Sequence, residues 1–197
     1  MAIFGWDGVG VSTLSWDWLD VFGTLYTLAE DGDVSKITLR CWFAGGTKNA
    51  ACAIYDDALN LVEHSDIVNV GVGEAWVDFP CTVHLDAADY YLMFQPCAGG
   101  GDMRSRYTDL GFTSGRYRDA WNILGDWDPT LTNMAAATKR HSIYATYTPS
   151  GGGVTVKKGS CVPAMTALLT KFSALKQPRE PRFQPQTFPK FTPRSLI

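Results

Sequence analysis

Residues 34–43 read VSKITLRCWF, and their alternation decides the fold class. Ile37, Leu39, Cys41 and Phe43 fall on one side of an extended chain and Lys36, Thr38, Arg40 and Trp42 on the other, because successive strand side chains point to opposite faces. An apolar face backed by a polar one belongs to antiparallel sheets with one wet side, not to parallel sheets buried on both. Upstream, Glu30-Asp31-Gly32-Asp33 has the composition of a turn, and FGTLYTL (22–28) before it alternates as a strand. Downstream, Ala44 to Asn49 turn the chain into AACAIYDD (50–57), a further strand.

The same rhythm continues through LNLVEH, IVNVGV, AWVDFP, TVHL and YYLMFQ, short apolar runs separated by turn residues. HSIYATYTP (141–149) closes the series, with Ile143, Ala145 and Tyr147 opposite Tyr144 and Thr146. Short strands at this spacing, with hardly a helical signal before residue 150, predict one all-β domain over 1–149, a sandwich or a barrel. Residues 4–20 read as a lead-in strand and turn whose tryptophans close the edge of the core, sugar stacking being the other use of such rings. The least regular part is 97–141, where strands are expected at RSRYTDLGF and from Gly115 to Trp121. Around them lies a loop surface rich in Arg, Tyr and Trp. It either caps one end of the domain or grips a protein or sugar partner, and Trp42, Arg116, Tyr117, Trp121 and Trp127 are its candidate ligand residues.

The net charge of −3 hides two opposite charges. Residues 1–149 carry nine basic and nineteen acidic side chains, a net −10, whereas 150–197 carry eight basic and one acidic, Glu180, a net +7. The two parts attract each other, within a molecule or between neighbours, and salt weakens the attraction. Nucleic acid ranks lower as a partner for the tail, because its charges are spread among apolar and proline residues and form no dense run. Gly151-Gly152-Gly153 release the tail, and Val154-Thr155-Val156 can add to a sheet edge. Residues 163–176 (PAMTALLTKFSALK) predict a short amphipathic helix with Met165, Leu168, Leu169, Phe172 and Leu175 on one stripe. From 177 to 197 prolines recur every three or four residues around Phe183, Phe188 and Phe191, which gives an extended arm with aromatic anchors. These eight apolar residues are the expected subunit contacts.

No catalytic or metal motif stands out. His64, His84 and His141 have no ligand or base at a useful spacing and read as solvated or hydrogen-bonded strand residues. Asp126 and Asp128 flank Trp127 in a proline-bounded turn that gives no control over their separation across a sugar, so they are not read as a glycosidase pair. The five cysteines have no CxxC pair; buried reduced thiols are the first reading and an inter-strand disulfide the second. A nonenzymatic protein without cofactor is therefore expected. The start lacks a basic region followed by an apolar one, and no apolar run reaches 18 residues, so neither a signal peptide nor a membrane span is expected.

The succession DGDVSKITLR, NAACAIYDD, AWVDFP, LDAADYYLMFQ and RHSIYATYTP resembles the jelly-roll sandwich domains of phage and microbial surface and structural proteins, some of them similar to carbohydrate-binding modules. Ala88-Asp89 stands where such domains usually have a glycine-containing turn. The resemblance implies an antiparallel jelly-roll-like sandwich over about 4–149 and supplies no catalytic residue. With the arm, it implies a structural protein of a virion or extracellular assembly, made in the cytoplasm and tied to copies of itself or to other subunits. A glycan-binding adhesion module is the alternative.

Overall fold

A computed structural model describes residues 1–16, 20–96, 103–118 and 124–151, without the side chains of Trp16 and of 116–118. The chain divides into two units, Met1–Val154 and Thr155–Ile197. The second lies outside the described residues, and with it the helix expected at 163–176 and the anchors Met165, Leu168, Leu169, Phe172, Leu175, Phe183, Phe188 and Phe191.

Every regular element among the described residues is a strand, and the fourteen strands form two antiparallel sheets. The first sheet holds β1 (Ala2–Gly5), β2 (Ser12–Trp16), β4 (Gly32–Phe43), β8 (Ala75–Leu85), β10 (Met103–Asp109), β13 (Lys139–His141) and β14 (Ile143–Pro149). In the second are β3 (Val21–Thr27), β5 (Lys48–Asp56), β6 (Leu61–His64), β7 (Val68–Val70), β9 (Asp89–Pro96), β11 (Gly115–Arg118) and β12 (Ala135–Ala137). The spine of the first sheet is β4, the strand that the alternation of 34–43 foretells. It pairs with β8 along one edge and, along the other, with β14 over Gly32–Leu39 and then β10 over Cys41–Phe43. Beyond these, β1 flanks β14 and β2 flanks β10. The second sheet runs β12-β11-β3-β9-β5, and β6 and β7 share the free edge of β5.

The main core holds Ile37, Leu39, Cys41 and Phe43 of β4 with Ala50, Cys52 and Ile54 of β5 and Leu92 and Phe94 of β9, all fully buried. One polar-face residue departs from expectation: Thr38 is buried too, its hydroxyl donating to Asp78 Oδ1 at 2.7 Å. A second correction concerns AWVDFP and TVHL, expected as two strands. They form one, β8, which passes through Pro80 because it lies at the sheet edge, where a missing N–H breaks no ladder bond. Opposite Pro80 the register with β4 shifts between Val34 and Lys36. The turn before β9 manages without glycine: Ala87 N–H donates to Asp31 Oδ1 at 2.8 Å, Ala88 O accepts from Leu28 N at 2.8 Å, and neither alanine has a positive φ.

A second core was not visible in the alternation. β5 and β9 are buried on both faces, and on the outer one Ala51, Ala53, Tyr55, Tyr91 and Met93 pack with Val21, Trp127 and Leu131. Residues 124–134 cover them, held by Tyr55 OH donating to Asp128 O at 2.8 Å and Leu61 N donating to Pro129 O at 2.8 Å. Leu59, beneath this cover, has φ +67°, a left-handed conformation costly for leucine, and its side chain packs into the same cluster.

Candidate functional site

The candidate site is the outer face of the first sheet, and Ser142 positions it. This fully buried residue lies where the last strand passes from β10 to β4. Its N–H donates to Arg106 O at 3.0 Å and its carbonyl accepts from Arg40 N at 2.9 Å, so the backbones that carry the two arginines are fixed side by side. The Ser142 hydroxyl accepts from Gly10 N at 2.9 Å. Residues directly opposite in register share a face, which sets Arg40 beside Trp76, Trp42 beside Arg104, and Tyr144 beside Thr38.

Glu74, just before β8, sits between the arginines. Its Oε1 accepts from Arg40 Nε and Arg106 Nε, both at 3.0 Å, and its Oε2 accepts from Arg106 Nη2 at 2.6 Å. The Arg106 guanidinium lies over Trp42 at 5.5 Å and that of Arg40 over Trp76 at 5.7 Å; Trp76 meets Tyr144 edge-on at 5.3 Å. At the side, Arg140 stacks over Trp6 at 4.2 Å. Arginine suits this strip because one planar group can fork onto a carboxylate while its face covers an aromatic ring. The hydrogen bond from Arg106 leads in holding the Glu74 carboxyl below the usual carboxylate range; burial opposes it, and the bond from Arg40 lowers it further. The Nε atoms of Arg104 and Arg140 are buried and have no hydrogen-bond partner among the described residues.

At the other end of β4 the charges are negative. His84 Nδ1 is 2.8 Å from Asp33 Oδ1, and His84 Nε2 is 3.8 Å from Asp86 Oδ1; the Asp33 bond leads in raising the imidazole pKa. Burial, then the carboxylates of Asp86, Asp56 and Asp31, raise that of Tyr90. Three different turns thus bring carboxylates to one place.

Among the described residues, the expected ligand positions fall on different sheets. Trp42 is half-buried on the strip just described. Arg116 and Tyr117 belong to β11 in the second sheet, and Trp121 lies outside the described residues. Trp127 is a correction: it is 7% exposed and packs edge-on against Tyr55 at 6.2 Å, so it belongs to the second core and not to a solvent-facing surface. Sequence reasoning missed Trp76, Tyr144, Arg40, Arg104, Arg106 and Glu74 as a group. The alternation of 34–43 already set Arg40 and Trp42 on the polar face, and Arg104-x-Arg106 has the same spacing; only the pairing of β4 with β8 and β10 joins them.

The histidines divide. His64 and His84 are exposed, whereas His141 is buried among Phe22, Phe94 and Tyr107, where burial pushes its pKa down to about 3. Cys41, Cys52 and Cys81 are free and buried, and burial raises all three thiols. An open cleft of about 580 Å³ beside His64, Asp66, Ile67, Leu124 and Gly125 is floored by Ser65, whose hydroxyl accepts from Cys52 N at 2.9 Å and donates to Asp66 O at 2.7 Å. That hydroxyl is committed to the backbone. Comparison with family models, curated proteins and solved structures yields no match.

Proposed function

We propose that the protein is a non-enzymatic structural component of a virion or another large assembly, in which the sandwich is exposed and residues 150–197 tie it to neighbouring subunits. The observation that carries this reading is the division of charge, −10 in residues 1–149 against +7 in 150–197, within one chain. Opposite charges of this size draw copies together, and a proline-stiffened arm with spaced phenylalanines gives that attraction anchors. Among the described residues the main core runs from Ala2 to Tyr147 and draws on both sheets, which supports a body with a core of its own.

The body is read as a jelly roll, and strand order supports this. The chain alternates between sheets so that β1, β14, β4 and β8 are neighbours in one while β3, β9, β5 and β6 are neighbours in the other. Two interlocked Greek keys give this order, with β11 and β12 as an added edge.

Truncation tests the functional reading. Cut after Val154, a point that preserves the 2.9 Å bond from Ser150 N to Asp31 O, the chain is expected to stay folded and to scatter light as a monomer at micromolar concentration. The full chain is expected to scatter as a multi-subunit species. Equal masses for the two would remove the arm from assembly and end this reading.

A further inference from the structure

We infer that the arginine–tryptophan strip on the first sheet is a contact surface for a second copy of the chain, and that it receives that copy's carboxylate-rich loop end. The inference rests on the assembly reading and specifies which surface of the neighbour is met.

Strand β4 joins two opposite charges. At its start, the turns Glu30-Asp31-Gly32-Asp33, Asp56-Asp57 and Asp86 to Asp89 hold seven carboxylates and no lysine or arginine. Asp33 and Asp86 are largely exposed, with side-chain exposures of 68% and 87%. Toward its finish lie Arg40, Arg104, Arg106 and Arg140 with the one carboxylate of Glu74 among them. From Asp33 to Arg40 the separation is about 23 Å at about 3.3 Å per residue. A body charged this way attracts its like from one end of a copy to the face of the next, a head-to-tail contact in which the two surfaces that meet are different.

The composition of the strip fits a protein partner. Arginine, tryptophan and tyrosine are the residues that concentrate binding energy at protein interfaces. Glu74 already occupies Arg40 and Arg106, which keeps the rings and guanidiniums ordered before any partner arrives. Arg104 and Arg140 flank that network as half-buried side chains; their Nε atoms are buried, so it is through their positive charge and the remainder of each guanidinium that they would draw a neighbour's carboxylates. Exposed ion pairs of this kind bind weakly alone. The arm supplies a high effective concentration, and the strip then decides how neighbours are oriented.

Charge variants of the full chain give the test, read by sedimentation at low and high salt. R104Q/R140Q and D33K/D86K are each expected to lower self-association at least tenfold, and an equimolar mixture of the two is expected to regain a 1:1 pair, because each variant keeps the surface the other has lost. A misfolded variant could not restore that pair. Self-association of both variants at the wild-type level would overturn the inference while leaving the arm's role intact; a wild-type chain that does not self-associate would overturn the inference and the assembly reading together. Loss of retention on an acidic-polysaccharide resin by R104Q/R140Q, with self-association unchanged, would also overturn it and assign the strip to a glycan.

Discussion

His141 shows at single-residue scale how the sandwich uses a polar side chain as core. Its ring lies 5.0 Å from Phe94 and 6.4 Å from Phe22, and its backbone is tied down by Thr24 Oγ1 accepting from its N–H at 3.1 Å. Because the folded imidazole stays neutral down to about pH 3 while the unfolded one takes up a proton below about 6.5, stability is complete above pH 6.5 and falls as pH drops through that window. His141→Phe is therefore expected to lessen the loss between pH 7 and pH 5 by about 1–2 kcal/mol, measured by urea unfolding at both values. Trp127 makes the complementary case. Removing a buried indole leaves a cavity, so Trp127→Ala should cost about 3 kcal/mol in the same assay. A change near zero would mean the ring is not the core member its 7% exposure indicates.

At the scale of elements, the joint between β4, β8 and β10 depends on one carboxylate. Glu74 links Arg40 of β4 to Arg106 of β10 from the start of β8, so it closes the first sheet where β14 gives way to β10. Glu74→Gln should destabilise the protein by about 1–2 kcal/mol at pH 7, a value for charge-assisted bonds at a partly exposed site. The folded carboxyl titrates below its ordinary value of 4.5, so this contribution is present above that pH and lost as pH falls through the depressed value. Denaturant melts of wild type and variant should accordingly converge as pH falls below 4.5. The alternation in residues 34–43 placed the residues of β4 on their two faces correctly, apart from the burial of Thr38. It could not reveal the partners of β4, because pairing is a long-range choice: Glu74 lies 34 residues from Arg40 and 32 from Arg106. β8 was likewise unreadable as one strand, since Pro80 is tolerated only through its edge position.

For the whole molecule, charge has opposite effects on folding and on association. An acidic body repels itself, so added salt should stabilise the chain cut after Val154 and raise its melting temperature by about a few degrees between low and moderate ionic strength. The same salt should dissociate the full chain's assemblies. A scan of melting temperature and sedimentation against salt checks both, and assemblies that tighten with salt would point to apolar contacts as the dominant link.

The sequence by itself determined the strand faces, the antiparallel all-β class and the division of charge between body and arm, because these follow from local periodicity and composition. Only the tertiary structure decided that Trp127 is core, that β5 and β9 are buried on both sides, and that Trp42 and Trp76 share a face with four arginines. Each of these depends on which distant segment packs against which, and a burial pattern on one strand cannot say what covers it.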